Sequence, residues 1–254
     1  MIKPTTKEEL LQILENRIKT KGNLCNLNDI DVSNIKDMSY LFCEQEFYGD
    51  INNWDVSNVT NMAMLFSGSK FNGDISNWDV HNVTNMSGMF MRSVFNGDIS
   101  NWDVSNVKDM TLLFADSIFN GNIDKWNVSQ VTNMNYMFNN SKFNKDISKW
   151  DVSNVKFMNW MFYHSIFNKD ISNWGVNNVT DMNGMFCHSK FNKSINNWNV
   201  SNVTDMGYMF CHSNFNKDIS KWIISDTINK EYMFEESLLY YKLDKQPKYD
   251  KTKE

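Results

Sequence analysis

Three histidines spaced 24 residues apart, His164, His188 and His212, stand beside Cys187 and Cys211. Imidazole nitrogen and thiolate sulfur are the usual ligands of Zn²⁺, so metal coordination is one chemistry open to this set. Consecutive residues point in different directions and no other segment carries the set, which weighs toward an exposed column multiplied by duplication. A second series is acidic: Asp31, Asp55, Asp79, Asp103 and Asp151 share one register, with Asn127, Gly175 and Asn199 in the remaining places. Beside it run Ser57, His81, Ser105 and Ser153. Displayed on one face, these groups form an acidic, polar surface suited to a basic segment or a cation; alternatively, they cap turns and keep the chain solvated. A third register holds Tyr136, Trp160, Tyr208 and Tyr232, residue types that dominate interface hot spots but also fill the space between packed elements.

Catalysis finds no constellation. The four histidines make no Ser-His-Asp or Cys-His arrangement that their spacing supports, and no pair of aspartates stands out as acid and base. The lone glycine of Phe71-Asn-Gly-Asp74 is unlike the clustered glycines of a phosphate loop. The reading is therefore a non-enzyme without a cofactor and without an assigned metal.

What must position these side chains is a repeat. Trp54, Trp78, Trp102, Trp126, Trp150, Trp174, Trp198 and Trp222 fall 24 residues apart, and a fixed period of that length is the mark of a solenoid. Phe47, Phe71 and Phe95 onward to Phe215 keep the same period, as do Phe42 to Phe234, Ile51 to Ile219 and Met38 to Met206. Within a coil, N-W-D-V-S alternates polar and apolar, the period of a half-buried strand. Val59, Met62, Leu65 and Phe66 then follow at spacings of a helical face, with Ser57 or Asn58 where an N-cap belongs. The Phe-Asn-Gly-Asp stretch reads as a turn in which Gly49, Gly73, Gly97 and Gly121 supply positive φ. Lys145, Lys169, Lys193 and Lys217 replace those glycines in later coils. The expected fold is α/β: a right-handed solenoid of eight to nine coils, each with one short parallel strand and one short helix.

A coil of this size cannot bury its apolar side alone, so the ends need caps. Residues 1–23 supply one, where Thr6-Lys7-Glu8-Glu9 is a capping box before Leu10, Leu11, Leu14 and Ile18. The solenoid spans 24–239, with a degenerate first coil carrying Ile30 in the tryptophan position and a decayed last one; 240–254 is expected to be a frayed polar tail. Composition sets further bounds. An apolar share of 41% supports a continuous core, and a net charge of −5 lacks the basic stripe of a nucleic-acid binder. No apolar run reaches membrane-spanning length. The start shows no signal-peptide stretch, so the expected location is intracellular and the cysteines, without CxxC pairing, are expected to be reduced.

The blocks Phe71-Asn-Gly-Asp-Ile-Ser-Asn-Trp-Asp-Val80 and Asn82-Val-Thr-Asn-Met86, closed by Met89-Phe90, resemble the BspA-like leucine-rich-repeat family across roughly residues 24 to 239. That resemblance implies a horseshoe or rod, a role in adhesion or protein binding without catalysis, and a cell or particle surface location. Ile75-x-x-Trp78-x-Val80 fits the leucine-rich pattern, but the asparagine falls at Asn82, one place early, which shifts the family's asparagine ladder. The function expected is a scaffold for protein recognition through a polar, acidic sheet face; the partner is an unidentified protein carrying a basic segment, and the oligomeric state is left open. The alternatives are a surface adhesin exported without a visible signal and a metal-binding module at the His/Cys column.

Overall fold

Each coil is folded by one local pattern used three times: an Asp or Asn, an apolar residue, two intervening residues, and a second apolar residue. In the second coil these are Asp50 to Trp54, Asp55 to Val59 and Asn61 to Leu65. The first apolar carbonyl accepts from the amide of the second, as Ile51 does from Trp54 at 3.2 Å and Val56 from Val59 at 2.9 Å. The side-chain oxygen of the leading residue accepts from the amide two places on: Asp50 from Asn52 at 3.0 Å, Asp55 from Ser57 at 3.1 Å, Asn61 from Ala63 at 3.1 Å. A serine makes the fourth corner, Ser69 Oγ accepting from the Phe71 amide at 3.1 Å. Short polar side chains thus hold the bends and satisfy amides that would otherwise lie unpaired. The structure, a computed structural model, describes residues 2–250.

This corrects the expected elements. The repeats contain neither the short strand nor the short helix; among the described residues the only parallel pairing within the array is single bridges, such as Asn61 with Asn85 and Asn85 with Asp109. Turns five residues apart leave no length for a strand at Asn53–Ser57, although Trp54 and Val56 do face the core and Asp55 faces out. From Met62 onward the amides divide their partners. Leu65, Ser67 and Ser69 donate three residues back within the coil, whereas Met62, Met64, Phe66 and Gly68 donate to Asn85, Ser87, Met89 and Met91 of the next coil at 2.7–2.9 Å. A helix would keep all these bonds inside the coil and pay nucleation for fewer than two turns. The run of turns instead spends every second bond on joining coils.

Such a run needs left-handed residues. Two registers take positive φ in all nine coils, one running from Tyr40 through Met64 to Tyr232 and the other from Glu44 through Arg92 to Glu236. Fifteen of the eighteen positions are not glycine. The expected turn glycines Gly49, Gly73, Gly97 and Gly121 are not at positive φ. At Gly73 the absent side chain leaves room for the Phe71 ring, which a Cβ would approach to 2.8 Å. Ser57 and Asn58 are not helix caps either. Asn58 Nδ2 donates to Ser33 of the preceding coil at 2.9 Å, and Asn82, Asn106, Asn154, Asn178 and Asn202 repeat that bond. The early asparagine of the repeat therefore builds an inter-coil ladder of its own.

Inside, three aromatic columns run along the solenoid. Trp54, Trp78 and Trp102 stack at 6.4–6.5 Å and within 4° of parallel. Phe66 stacks on Phe71 at 4.5 Å and on Phe90 at 5.8 Å. Each ladder tryptophan donates its indole N–H to a carbonyl 27 residues earlier, Trp102 to Ile75 at 3.1 Å for example. The ends are closed by non-repeat chain. α1 (Lys7–Lys21) buries Leu10 and Leu14 against the first coil; Thr6 caps it, and Glu9 reaches back to the Thr5 amide at 2.7 Å, one place beyond a reciprocal capping box. At the far end β1 (Ile223–Ser225) pairs in parallel with β2 (Lys248–Asp250), after a 3₁₀ turn at Leu243–Lys245. Part of the expected tail thus pairs with the last coil, whose Trp222 is 1% exposed; positions 251–254 of that tail lie outside the described residues.

Candidate functional site

Three sides of the solenoid repeat with scattered changes, and the side bearing the two left-handed registers varies most. Four of its registers, starting at Ala63, Met64, Ser67 and Gly68, change identity from coil to coil, the Ser67 register being buried at Ser67, Ala115, Cys187 and Cys211. Over the last four coils they gather Trp160, Tyr163, Tyr208 and Tyr232 with the histidines. Trp160 meets Tyr163 edge-on at 5.1 Å and Tyr208 at 6.3 Å, and Tyr208 meets Tyr232 at 5.1 Å. Trp160 reaches Tyr208 across the intervening coil because Gly184 lies beneath it; a Cβ there would stand 2.5 Å from the indole. These rings are partly exposed. Under them runs a polar network that the sequence reading missed, with Asn159 Nδ2 donating to Asp181 at 2.9 Å and Asn183 Nδ2 to Asp205 at 3.0 Å. Burial pushes the Asp181 carboxyl above its ordinary value. Asn and Asp here looked like consensus copies, and only their neighbours in space distinguish them.

The histidine column is assembled as its spacing implies. His164, His188 and His212 stack face to face at 4.6 and 4.5 Å, within 16° and 7° of parallel. Parallel rings aim their in-plane nitrogen lone pairs side by side, so the three do not converge on one ion. Cys187 and Cys211 lie buried beside them, and burial raises the Cys187 thiol to about 12 and pushes Cys211 up as well. A thiol protonated at neutral pH is a poor nucleophile. Burial, and then the flanking His164 and His212, lower the His188 imidazole. Cys211 Sγ lies 3.8 Å from Glu235 Oε2, and His212 Nδ1 lies 2.9 Å from Glu236 Oε2. Glu235 and Glu236 occupy the cysteine and histidine registers one coil on. Cys-His followed by Glu-Glu at a 24-residue spacing is the signal by which the sequence could have shown them.

The acidic register is also assembled, though on turns and not on the open face of a sheet. Asp31, Asp55, Asp79, Asp103 and Asp151 each turn one oxygen back to the amide two residues on, at 3.0–3.3 Å. Asn127 and Asn199 make the same bond. A hydrogen bond from Lys3, with help from Ser33, holds the Asp31 carboxyl down to about 2. His81 Nδ1 lies 2.7 Å from Asp79, an imidazole–carboxylate pair with Ser57 and Ser105 in the flanking coils. Both hydroxyls are held by their own aspartates, Ser57 Oγ to Asp55 at 2.6 Å and Ser105 to Asp103.

The corner carboxylates have a consequence for pH. Backbone bonds from Ser76, Ser100, Ser148 and Ser172, then the same serines' hydroxyls, hold Asp74, Asp98, Asp146 and Asp170 below the usual carboxylate range. A carboxylate lowered on folding stabilises fully above the unfolded value of about 3.9 and loses that stabilisation as pH falls through its folded value. Urea midpoints should thus hold steady from neutrality to about pH 5 and fall below about pH 4. Replacing all four with Asn, which keeps the acceptor and loses the proton site, should flatten that acid limb. An unchanged limb would show that acid acts elsewhere.

A family described as "Mycoplasma protein of unknown function, DUF285" matches residues 12–118, 91–190 and 164–248, three overlapping stretches that cover nearly the whole repeat array. No curated protein and no solved structure matches the chain. Among the described residues, no helix is long and apolar enough to cross a membrane.

Proposed function

We propose that the chain, which belongs to the mycoplasma protein family DUF285, works as a non-enzymatic scaffold that recognises another protein through the variable face of its solenoid. The observation that carries this reading is the contrast between faces. Corners, ladders and core largely keep their residues from coil to coil, while one face changes most and there collects Trp160, Tyr163, Tyr208 and Tyr232. Partly exposed Trp and Tyr side by side are the commonest anchors of protein interfaces. The finer assignment to BspA-like leucine-rich repeats, with an adhesive role at a surface, belongs to the same reading. Its support is the eightfold F-N-G/K-D-I-S-N-W-D-V block, set against coils built of turns.

The Asp55, Asp79 and Asp103 column is the competing surface, for a basic segment. Charge separates the two without harming the fold, because Asn127 and Asn199 already cap the same turn. Capture of a partner by the intact array should fall on the order of 30-fold when Trp160, Tyr208 and Tyr232 are all changed to Ser. It should persist when Asp55, Asp79 and Asp103 are changed to Asn. The opposite pattern would move recognition to the acidic column, and indifference to both sets would refute the scaffold reading of these faces.

A further inference from the structure

Where the variable face meets the C-terminal cap, two adjacent coils bring donors of different kinds together. One ligand atom each from Cys211, His212 and Glu235 lies within 4.8 Å of the others, and the sulfur–carboxylate distance is already 3.8 Å. Zinc bonds of about 2.0–2.3 Å in tetrahedral geometry hold neighbouring donors roughly 3.3–3.8 Å apart. Cys211 is the fixed member, 3% exposed. His212 is exposed and Glu235 partly so, so both have room to close the remaining ångström. Glu236, 2.9 Å from His212 Nδ1, supplies the carboxylate that commonly orients a metal-binding imidazole. Beside them opens a cleft of 660 Å³ lined by Glu235, Glu236 and Tyr240, a path by which an ion enters.

We propose that Cys211, His212 and Glu235 bind a divalent cation of the zinc type, with the fourth position open to water from the cleft. Soft sulfur with nitrogen and one carboxylate selects zinc over calcium or magnesium, which favour all-oxygen shells. On binding, the Cys211 S–H bond breaks, its proton passes to solvent, and a metal–sulfur bond forms; no electrons are transferred. Of the stacked histidines only His212 takes part, since His188 and His164 lie one and two coils farther from Glu235.

The test uses the full chain, purified with chelator, and Co²⁺ as a visible stand-in for Zn²⁺. One Co²⁺ per chain should give a near-ultraviolet sulfur-to-metal charge-transfer band, and added Zn²⁺ should abolish it. Calorimetry should show Zn²⁺ binding weakened roughly 100-fold in Cys211→Ser and in His212→Asn. The second variant is safe for folding because Asn140 occupies the same left-handed register. His164→Asn should change neither reading. Absence of the charge-transfer band at equal Co²⁺ and protein, or unchanged Zn²⁺ affinity in His212→Asn, would overturn the proposal. Equal weakening by His164→Asn would also overturn it, by assigning the metal to the imidazole stack.

Discussion

Trp78→Ala is expected to destabilise the chain by about 4 kcal/mol or more, read as a lowered urea midpoint. The residue is 4% exposed, stacks on Trp54 and Trp102 at 6.4 and 6.5 Å, and lies 6.1 Å from Phe66. Truncating a buried aromatic costs about 3–5 kcal/mol from lost burial and the cavity left behind. The indole N–H adds to this, because its bond to Ile51 at 3.3 Å is lost, although that carbonyl keeps the Trp54 amide at 3.2 Å. Trp78→Phe separates the terms: it keeps a ring in the column and forfeits the donor, for an expected loss of about 1–3 kcal/mol. The coils touch only their neighbours, so the damage falls on the interfaces either side of one ring and is not shared with the rest of the core. A loss below about 1 kcal/mol for Trp78→Ala would mean that the ladders of amides, and not the tryptophans, join the coils.

The core was legible because apolar identity survives any backbone. Trp54, Val56, Val59, Met62, Leu65 and Phe66 read as one buried side, and all are at most 4% exposed. The secondary structure was not legible for the same reason. Spacings of three, three and one from Val59 to Phe66 suit a helical face and a chain of tight turns equally, and side-chain periodicity does not say which carbonyl an amide will choose. The left-handed registers were hidden by their occupants. Met64, Leu112 and Trp160 are not residues that announce positive φ, and Gly68, Gly88, Gly184, Asp116 and Asn140 offered a hint. Of the candidate site, the histidine, aspartate and aromatic columns were readable as registers. Glu235 and Gly184 were missed, because one breaks the Cys pattern and the other acts by making room for Trp160.

Those occupants lead to a prediction with opposite signs at a single position. Arg92 sits at φ 54 with its amide donating to Ala115 of the next coil at 2.8 Å. Its side chain is 64% exposed and touches Asp116 only at 3.8 Å, a surface pair of little worth. A left-handed L-residue costs about 1–2 kcal/mol, and glycine gives back about 0.5–1 kcal/mol of that through the unfolded state. Arg92→Gly should therefore stabilise by about 0.5–1 kcal/mol. Arg92→Pro should cost about 3 kcal/mol or more, since the ring fixes φ near −65° and deletes the inter-coil donor. Chemical denaturation of the two variants checks both signs; stabilisation by proline, or destabilisation by glycine, would show that the residue does not hold this conformation. The chain keeps side chains at fifteen of eighteen such positions although glycine would ease every one. Strain of this kind persists where a side chain is wanted more than the stability it forfeits. Here the side chains so displayed include Trp160, Tyr208, Tyr232 and His212, the groups proposed for recognition and for the metal.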